Sequence, residues 1–532
     1  MKLLFALVLA VAAAGPGAEL GAAPAGDAAA TFESLALALG SAGFREKEAL
    51  VERLAGVADP RVPALLEALL AGELYRDAAT GALFVGADAP APLVGATAAG
   101  APQGRLRKVV TNNSLRSALR PLLAVTRLRD PDPGVRAEAA RTLTGAAAPT
   151  LVPILEQVTA AEQHPQVRRA LRTALASVQL ADPDPGVRSA AVRVLAEHSD
   201  KAILTLLQQR AAEEPDPEVG AVLAEAVRSL QAREQWFAFL GDLFFGLSLG
   251  SVLLLAAVGL AITFGVMGVI NMAHGEMIML GAYTTYVVQL LMPDHIELSL
   301  AVAVPAAFLV SGLVGIAIER GVIRFLYGRP LETLLATFGI SLILQQLVRS
   351  IFSPLNKSVV TPQWLSGSWE INGMLSLTYN RLYIVLFALG MLVSLVALLR
   401  RTPIGLQMRA VTQNRAMASS MGIRTGRVDA LTFGLGSGIA GIAGVALSQL
   451  TNVGPNLGQS YIIDSFLVVV FGGVGNLLGT FVAAMGLGVV TKFAEPLAGA
   501  VLAKILILIF VILFIQRRPR GLFALKGRFV ED

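Results

Sequence analysis

The sequence predicts an all-α chain in two parts: an exported N-terminal domain of helical repeats, then a polytopic membrane helix bundle. Three observations carry this. Charged residues are 15% of the 532 residues and hydrophobic ones 55%, where a soluble chain carries about 25% charged. The charge is concentrated before Glu234 and falls into short clusters after it. A heptapeptide recurs in the first part at a fixed spacing.

Lys2 precedes an apolar run, Leu3 to Ala14. That run is shorter than the roughly 20 residues a membrane span takes. Small-residue cleavage sites follow at Ala12-Ala13-Ala14 and Ala23-Pro24-Ala25. Residues 1–25 therefore predict a signal peptide. The alternative is an uncleaved anchor, and either one exports the next domain. Residues 26–104 predict a helical segment and linker: over 30–75 the apolar residues Phe32, Leu35, Leu39, Leu50, Leu54, Leu65, Leu66 and Leu69 keep helical spacing, with no strand alternation. Residues 79–104 are rich in Ala, Gly and Pro and predict a linker.

Over 105–235 the chain repeats itself. Asp130-Pro131-Asp132-Pro133-Gly134-Val135-Arg136 returns as Asp182-Pro183-Asp184-Pro185-Gly186-Val187-Arg188, with weaker copies around Pro165 and Pro217. The prolines at 133, 165, 185 and 217 are spaced 32, 20 and 32, so the larger unit is 52 residues. The Asp caps a helix and the Pro occupies its first turn, where a missing N–H is harmless. The pattern resembles HEAT-type repeats, whose units stack to bury a core. A partner-binding surface and a purely structural domain are both consistent with it.

From 236 to 532, nine apolar segments alternate with short breaks, at roughly 240–264, 276–292, 298–318, 331–352, 382–399, 428–450, 462–475, 477–493 and 500–516. An outside N-terminus makes the loops after the third, fifth and ninth segments cytoplasmic. Those loops carry Arg320, Arg324 and Arg329; Arg400, Arg401, Arg409, Arg415, Arg424 and Arg427; and Arg517, Arg518, Arg520, Lys526 and Arg528. This is the positive-inside bias. It accounts for the net charge of +5 without a nucleic-acid partner.

With no cysteine, disulfides, thiol nucleophiles and Cys-bound zinc are excluded. His164, His198, His274 and His295 are too dispersed for a metal site. No G-x-x-x-x-G-K-[ST] loop occurs, so ATP is hydrolysed outside this chain.

Three motifs remain. Ile270-Asn271-Met272-Ala273-His274-Gly275-Glu276 interrupts two apolar helices. Polar groups at membrane depth face a pathway or bundle interior, so Asn271, His274 and Glu276 are candidates for a translocation pathway or gate; a plain capped turn is the alternative. The basic loop from Thr402 holds Gly405, Met408, Arg409, Ala410, Val411, Arg415, Ala418, Met421 and Gly422. Met408, Val411, Ala418 and Met421 approximate one apolar face, and a short helix exposing Arg and Met suits docking on a partner. Gly434, Gly438, Gly472, Gly473, Gly475 and Gly479 predict close helix packing.

In these three stretches the chain resembles the permeases of high-affinity branched-chain amino acid ABC importers. The first motif stands where those have an "INxAHGE"-like break. Gly405 to Ile423 is similar to their "G…RA…A…MGI" loop, Gly472 to Gly479 to a "GGxGxxxG" stretch, and Arg518-Pro519-Arg520-Gly521-Leu522-Phe523 to the terminal tail, with Ala524 for its last glycine. The resemblance covers roughly 238–526. It implies a type II ABC importer-like permease of the bacterial inner membrane, its N-terminal domain periplasmic. It also implies no cofactor of its own, and four kinds of contact: a second permease subunit, two cytoplasmic ATP-binding subunits, a periplasmic substrate-binding protein and membrane lipid. Gly405, Arg409, Ala410, Arg415, Ala418 and Gly422 would couple to the ATPases. The exported domain, with Lys108 to Arg116 (Lys-Val-Val-Thr-Asn-Asn-Ser-Leu-Arg), resembles the urea importer permeases. Urea is implied by that resemblance alone. Rival readings are branched-chain amino acids or short amides carried by the same machine, a membrane receptor sensing through the repeats, and an autonomous channel.

Overall fold

The computed structural model describes residues 25–523 apart from 56, 58, 87–89, 96–101, 103 and 147–150. The expected signal peptide, except Ala25, and the tail residues Ala524, Lys526 and Arg528 lie outside the described residues. The chain divides into two compact units after Glu234.

The first unit opens with helices α1 (Ala25–Ser41), α2 (Phe44–Ala55) and α3 (Val62–Ala71). Phe32, Leu35, Leu39, Leu54, Leu65, Leu66 and Leu69 meet in one core, as their spacing requires. The segment after α3 corrects both the all-α expectation and the linker expected over 79–104. Strands β1 (Leu74–Asp77), β2 (Leu83–Val85), β3 (Ala91–Val94) and β4 (Leu106–Lys108) form an antiparallel sheet in the order β3-β2-β1-β4. At three or four residues each, the strands are too short for alternation to register. Gly81, Gly86 and Gly95 take positive φ between or beside the strands, and Pro92 lies on edge strand β3, where it costs little in ladder bonds.

The repeats supply α4 (Asn113–Arg127), α5 (Pro133–Leu143), α6 (Val152–Ala161), α7 (Pro165–Gln179), α8 (Pro185–Ala196) and α9 (Lys201–Glu213). Asp132 accepts from the Gly134 N–H at 2.7 Å, and Asp184 from the Gly186 N–H at 2.8 Å. The Arg of each heptapeptide has one role, played twice. Arg136 Nε donates to Glu162 Oε2 at 2.8 Å, and its Nη1 to the Asp130 carbonyl at 2.8 Å. Fifty-two residues on, Arg188 Nη2 donates to Glu214 Oε1 at 2.7 Å, and its Nη1 to the Asp182 carbonyl at 2.9 Å. Each Arg thereby ties a turn to the end of the next hairpin.

Helix α10 (Pro217–Met267) contains the boundary between the units. The second unit continues with α11 (His274–Leu291), α12 (Ile296–Gly321), α13 (Pro330–Phe352), the hairpin β5 (Ser368–Asn372) and β6 (Leu375–Thr378), and α14 (Tyr379–Arg401). Then come α15 (Pro403–Gln413), α16 (Arg415–Ser420), α17 (Thr425–Ser448), α18 (Gln459–Gly472) and α19 (Leu477–Arg517). The hairpin is a second departure from all-α. The nine expected segments fall on α10 to α14, α17, α18 and the two halves of α19, which breaks at Gly499 three residues after Pro496. Six described helices are long and apolar enough to cross a membrane. Helix α11 carries His, Glu and Gln, and α18 is only 14 residues long.

The Arg188 hydrogen bond holds the Glu214 carboxyl below its usual range. A depressed folded pKa gives stability that is complete above the unfolded value, about 4.3, and lost as pH falls through the folded one. Hydrogen exchange of peptides covering 185–216, corrected for intrinsic pH dependence, should show protection falling below about pH 4. In Glu214→Gln, protection should be lower at neutral pH and nearly flat across that window.

Candidate functional site

Helix α10 ends at Met267, and Gly268 takes a positive φ of 68° that turns the chain out of it. The chain re-enters a helix at His274. Asn271 Oδ1 accepts from the Ala273 N–H at 3.0 Å, closing an Asx turn just before that entry. The Met272 N–H donates to Thr337 Oγ1 on α13 at 3.1 Å. His274 is fully buried, and its Nε2 donates to the Ala256 carbonyl of α10 at 2.8 Å. Glu276 is 1% exposed. Its Oε1 accepts from Ser341 Oγ at 2.9 Å and from Gln345 Nε2 at 2.7 Å, both on α13. The break thus brings the Met272 backbone and the Glu276 side chain against α13, while His274 bonds α10.

Helix α13 shows the residues that sequence reasoning missed. Thr333, Thr337, Ser341, Gln345 and Arg349 recur every four residues, which puts them on one face. The first four are buried. Arg349 Nη2 donates to Asn456 Oδ1 at 2.7 Å. Leu331, Leu335, Leu342 and Ile343 on other faces are exposed. The signal is present in the sequence: one polar residue per turn through an otherwise apolar segment.

Glycines set how closely the helices approach. A Cβ at Gly281 of α11 would strike the Gly441 carbonyl of α17, and one at Gly444 the Ile278 carbonyl. Gly434 and Gly438 of α17 bring α12 close, at Ile316 and Phe308. Gly472 meets Gly479 backbone to backbone, Gly475 meets Gly265, and Gly473 at φ 104° lies against the Phe523 carbonyl.

The basic loop folds as α15 and α16. Thr402 Oγ1 accepts from the Gly405 N–H at 3.3 Å, and Asn414 Oδ1 from the Met417 N–H at 2.9 Å. A Cβ at Gly405 would strike the Leu399 carbonyl, and Arg409 Nη1 donates to that same carbonyl. Ala410 is partly buried and Gly422 ends α16 with φ 87°. The expected apolar face needs correction. Met408, Val411 and Ala418 point into the bundle core, whereas Met421 is 76% exposed. The exposed apolar side chains are Ile404, Leu406, Met417 and Met421. Two helices meeting at Asn414 stand where the spacing predicts a single one. Arg415 pairs with the buried Asp429 of α17, and its guanidinium lies 4.5 Å from the Tyr327 ring centroid. Tyr327 Oη donates to Glu319 Oε1 at 3.1 Å.

A cavity of about 100 Å³ lies between α10, α18 and α19. Tyr461, Asp464, Thr491 and Lys504 line it among aliphatic side chains, and Lys504 Nζ is 3.1 Å from Asp464 Oδ2.

Overpacking a tight contact costs about 1–3 kcal/mol or more. Gly281→Val should therefore cut the yield of folded protein in detergent and lower its melting temperature, while Gly339→Ala, in open space, should leave both unchanged.

A family profile, branched-chain amino acid transport system / permease component, matches residues 243–515. The high-affinity branched-chain amino acid transport system permease protein LivH of Salmonella typhimurium is 33% identical over 282 residues, 51% of this chain and 89% of the relative. Protein BraD of Pseudomonas aeruginosa, with the same description, is 29% identical over 54% of this chain and 96% of its own length. The ribose import permease protein RbsC of Bacillus subtilis is 32% identical over 18% of this chain and 32% of its own length. No solved structure matches. The chain belongs to the branched-chain amino acid transport system permease family, and it is a transport permease, not an enzyme.

Proposed function

We propose that this chain is the membrane-embedded permease of an ATP-driven importer whose solute is urea. It works with a second permease, two cytoplasmic ATPases and an external substrate-binding protein. Its N-terminus and repeat unit, read as HEAT-like, face outside, and its C-terminus faces the cytoplasm. The observation that carries the transport reading is the line of buried hydrogen-bonding groups between α11 and α13 inside an apolar bundle. Polar groups cost free energy there unless they are used. Asn271 and Glu276 belong to the pathway. His274, bonded to the α10 backbone, is a positioning residue.

The urea assignment is supported by the half of the chain that the amino acid permeases do not match. The profile begins at residue 243, and the LivH alignment leaves about half of this chain uncovered. That remainder includes Lys108 to Arg116, where the Val110 carbonyl accepts from Lys47 Nζ at 2.9 Å and Asn112 caps α4. A second reading, a branched-chain amino acid, is favoured by the cavity at Asp464 and Lys504. Its two charges complement an ammonium and a carboxylate, and its walls suit an aliphatic side chain.

The coupling surface is formed by α15 and α16, with Ile404, Leu406, Met417 and Met421 presented to an ATPase groove and Arg409 beside them. Arg415 acts through the buried Asp429 of α17. Cells lacking this chain should regain uptake of labelled urea, and not of labelled leucine, when it is restored. Leucine uptake alone would establish the second reading instead. Met417→Glu with Met421→Glu should abolish solute-stimulated ATP hydrolysis in the assembled transporter while the chain stays folded. Arg415→Glu should instead reduce folded protein, because it strands Asp429.

A further inference from the structure

We propose that the α11–α13 seam is itself the solute site, a file of hydrogen-bonding stations with Glu276 as the central one. This rests on the urea reading above. Three buried polar atoms along the seam have no partner among the described groups: Asn271 Nδ2, Glu276 Oε2 and Tyr283 Oη. Each sits on a residue held against α13 or beside one that is. The backbone next to Asn271 bonds Thr337, Glu276 bonds Ser341 and Gln345, and the Tyr283 ring centroid lies 4.8 Å from that of Phe352.

Geometry fixes the order. Glu276 and Tyr283 are seven residues apart, two turns along one face of α11. At about 1.5 Å per residue they are separated by roughly 10 Å along the axis. Asn271 lies on the other side of Glu276. A small diamide therefore occupies one station at a time and passes between them.

The chemistry of the central station selects the ligand. Both donors on Glu276 Oε1 are neutral, so they orient the carboxyl group and leave its other oxygen open. Its free Oε2 accepts N–H hydrogen bonds. A ligand carboxylate would find no cation among these partners to offset burying its charge in a low-dielectric interior. An uncharged molecule with several N–H donors and one carbonyl fits, the carbonyl taking donation from Asn271 Nδ2 or the Tyr283 hydroxyl as it arrives or leaves.

The test uses the assembled transporter in proteoliposomes with its binding protein. For the wild type, N-methylurea should compete with labelled urea and tetramethylurea, which has no N–H, should not. Glu276→Gln should raise the KM for urea about tenfold, a change that a merely structural residue would show in maximal rate alone. Tyr283→Phe, which keeps the ring on Phe352, should raise KM by a smaller factor. If urea is carried but tetramethylurea competes as well as N-methylurea, or Tyr283→Phe and folded Glu276→Gln keep the wild-type KM, the seam is not the site and the urea reading stands. If the wild type carries leucine and not urea, both fall.

Discussion

The backbone of α11 lies directly on that of α17, and most of the second unit follows from this contact. At Gly281 and Gly441, and again at Gly444 and the Ile278 carbonyl, no side chain separates the two helices. Between helices in lipid the hydrophobic effect gives little, so association rests on contact area and on backbones that can approach. Small residues supply both. The approach sinks α11 into the interior, with His274, Glu276, Tyr283, Thr285 and Gln289 all buried. It also leaves α11 with α13 along another side, so the polar groups of the two must satisfy one another. Larger residues at 281 or 441 would open that seam as surely as a change at Glu276.

His274 and Glu276 are neighbours in sequence with different fates. The imidazole has one strong partner, the Ala256 carbonyl, and lies beside Gly259, where a Cβ would fall 2.9 Å from its Cε1. That is a pin between two helices, although its Nδ1 has no partner among the described groups. The carboxylate has one oxygen doubly bonded by donors and one without any. A buried acceptor left unmet costs more than a bond gains, so the second oxygen is where a ligand has most to offer. Sequence places both residues in one motif and does not separate the pin from the open group, because the separation depends on which neighbouring helix each side chain faces.

The same division governs what is legible elsewhere. The apolar segments and the capping Asp-Pro pairs are readable because each is local, set by three or four consecutive residues. The turn at Gly268 is readable as a break for the same reason. The polar line on α13 is hidden by its own regularity, since single Thr, Ser and Gln residues do not interrupt an apolar run. The Arg136–Glu162 and Arg188–Glu214 pairs join residues 26 apart; only the repeat of the Arg is visible, not its partner. The sheet over 74–108 escapes because strands of three and four residues have too few positions to alternate. Met421 falls on the wrong face because a single helical period does not continue through the Asn414 junction.

The network around Arg415 explains how a surface loop reaches the seam. Arg415 on α16 is paired with Asp429 in the first turns of α17 and stacked on Tyr327, which bonds Glu319 of α12. Tyr327 stands three residues before α13. The exposed end of the loop is thus tied to the two helices that bracket α11 and to the entrance of a third. Contiguity alone does not make a switch. Here, however, the tie is made at helix ends, the start of α17 and the last turn of α12, and α17 is locked to α11 by glycine contacts farther along. A rigid helix moved at one end moves at the other, so a displacement of α15 and α16 by a partner cannot leave the α11–α13 seam as it was. On the importer reading, that is why a charge belonging to the coupling loop is paired with the buried Asp429 of α17 rather than left free for the ATPase.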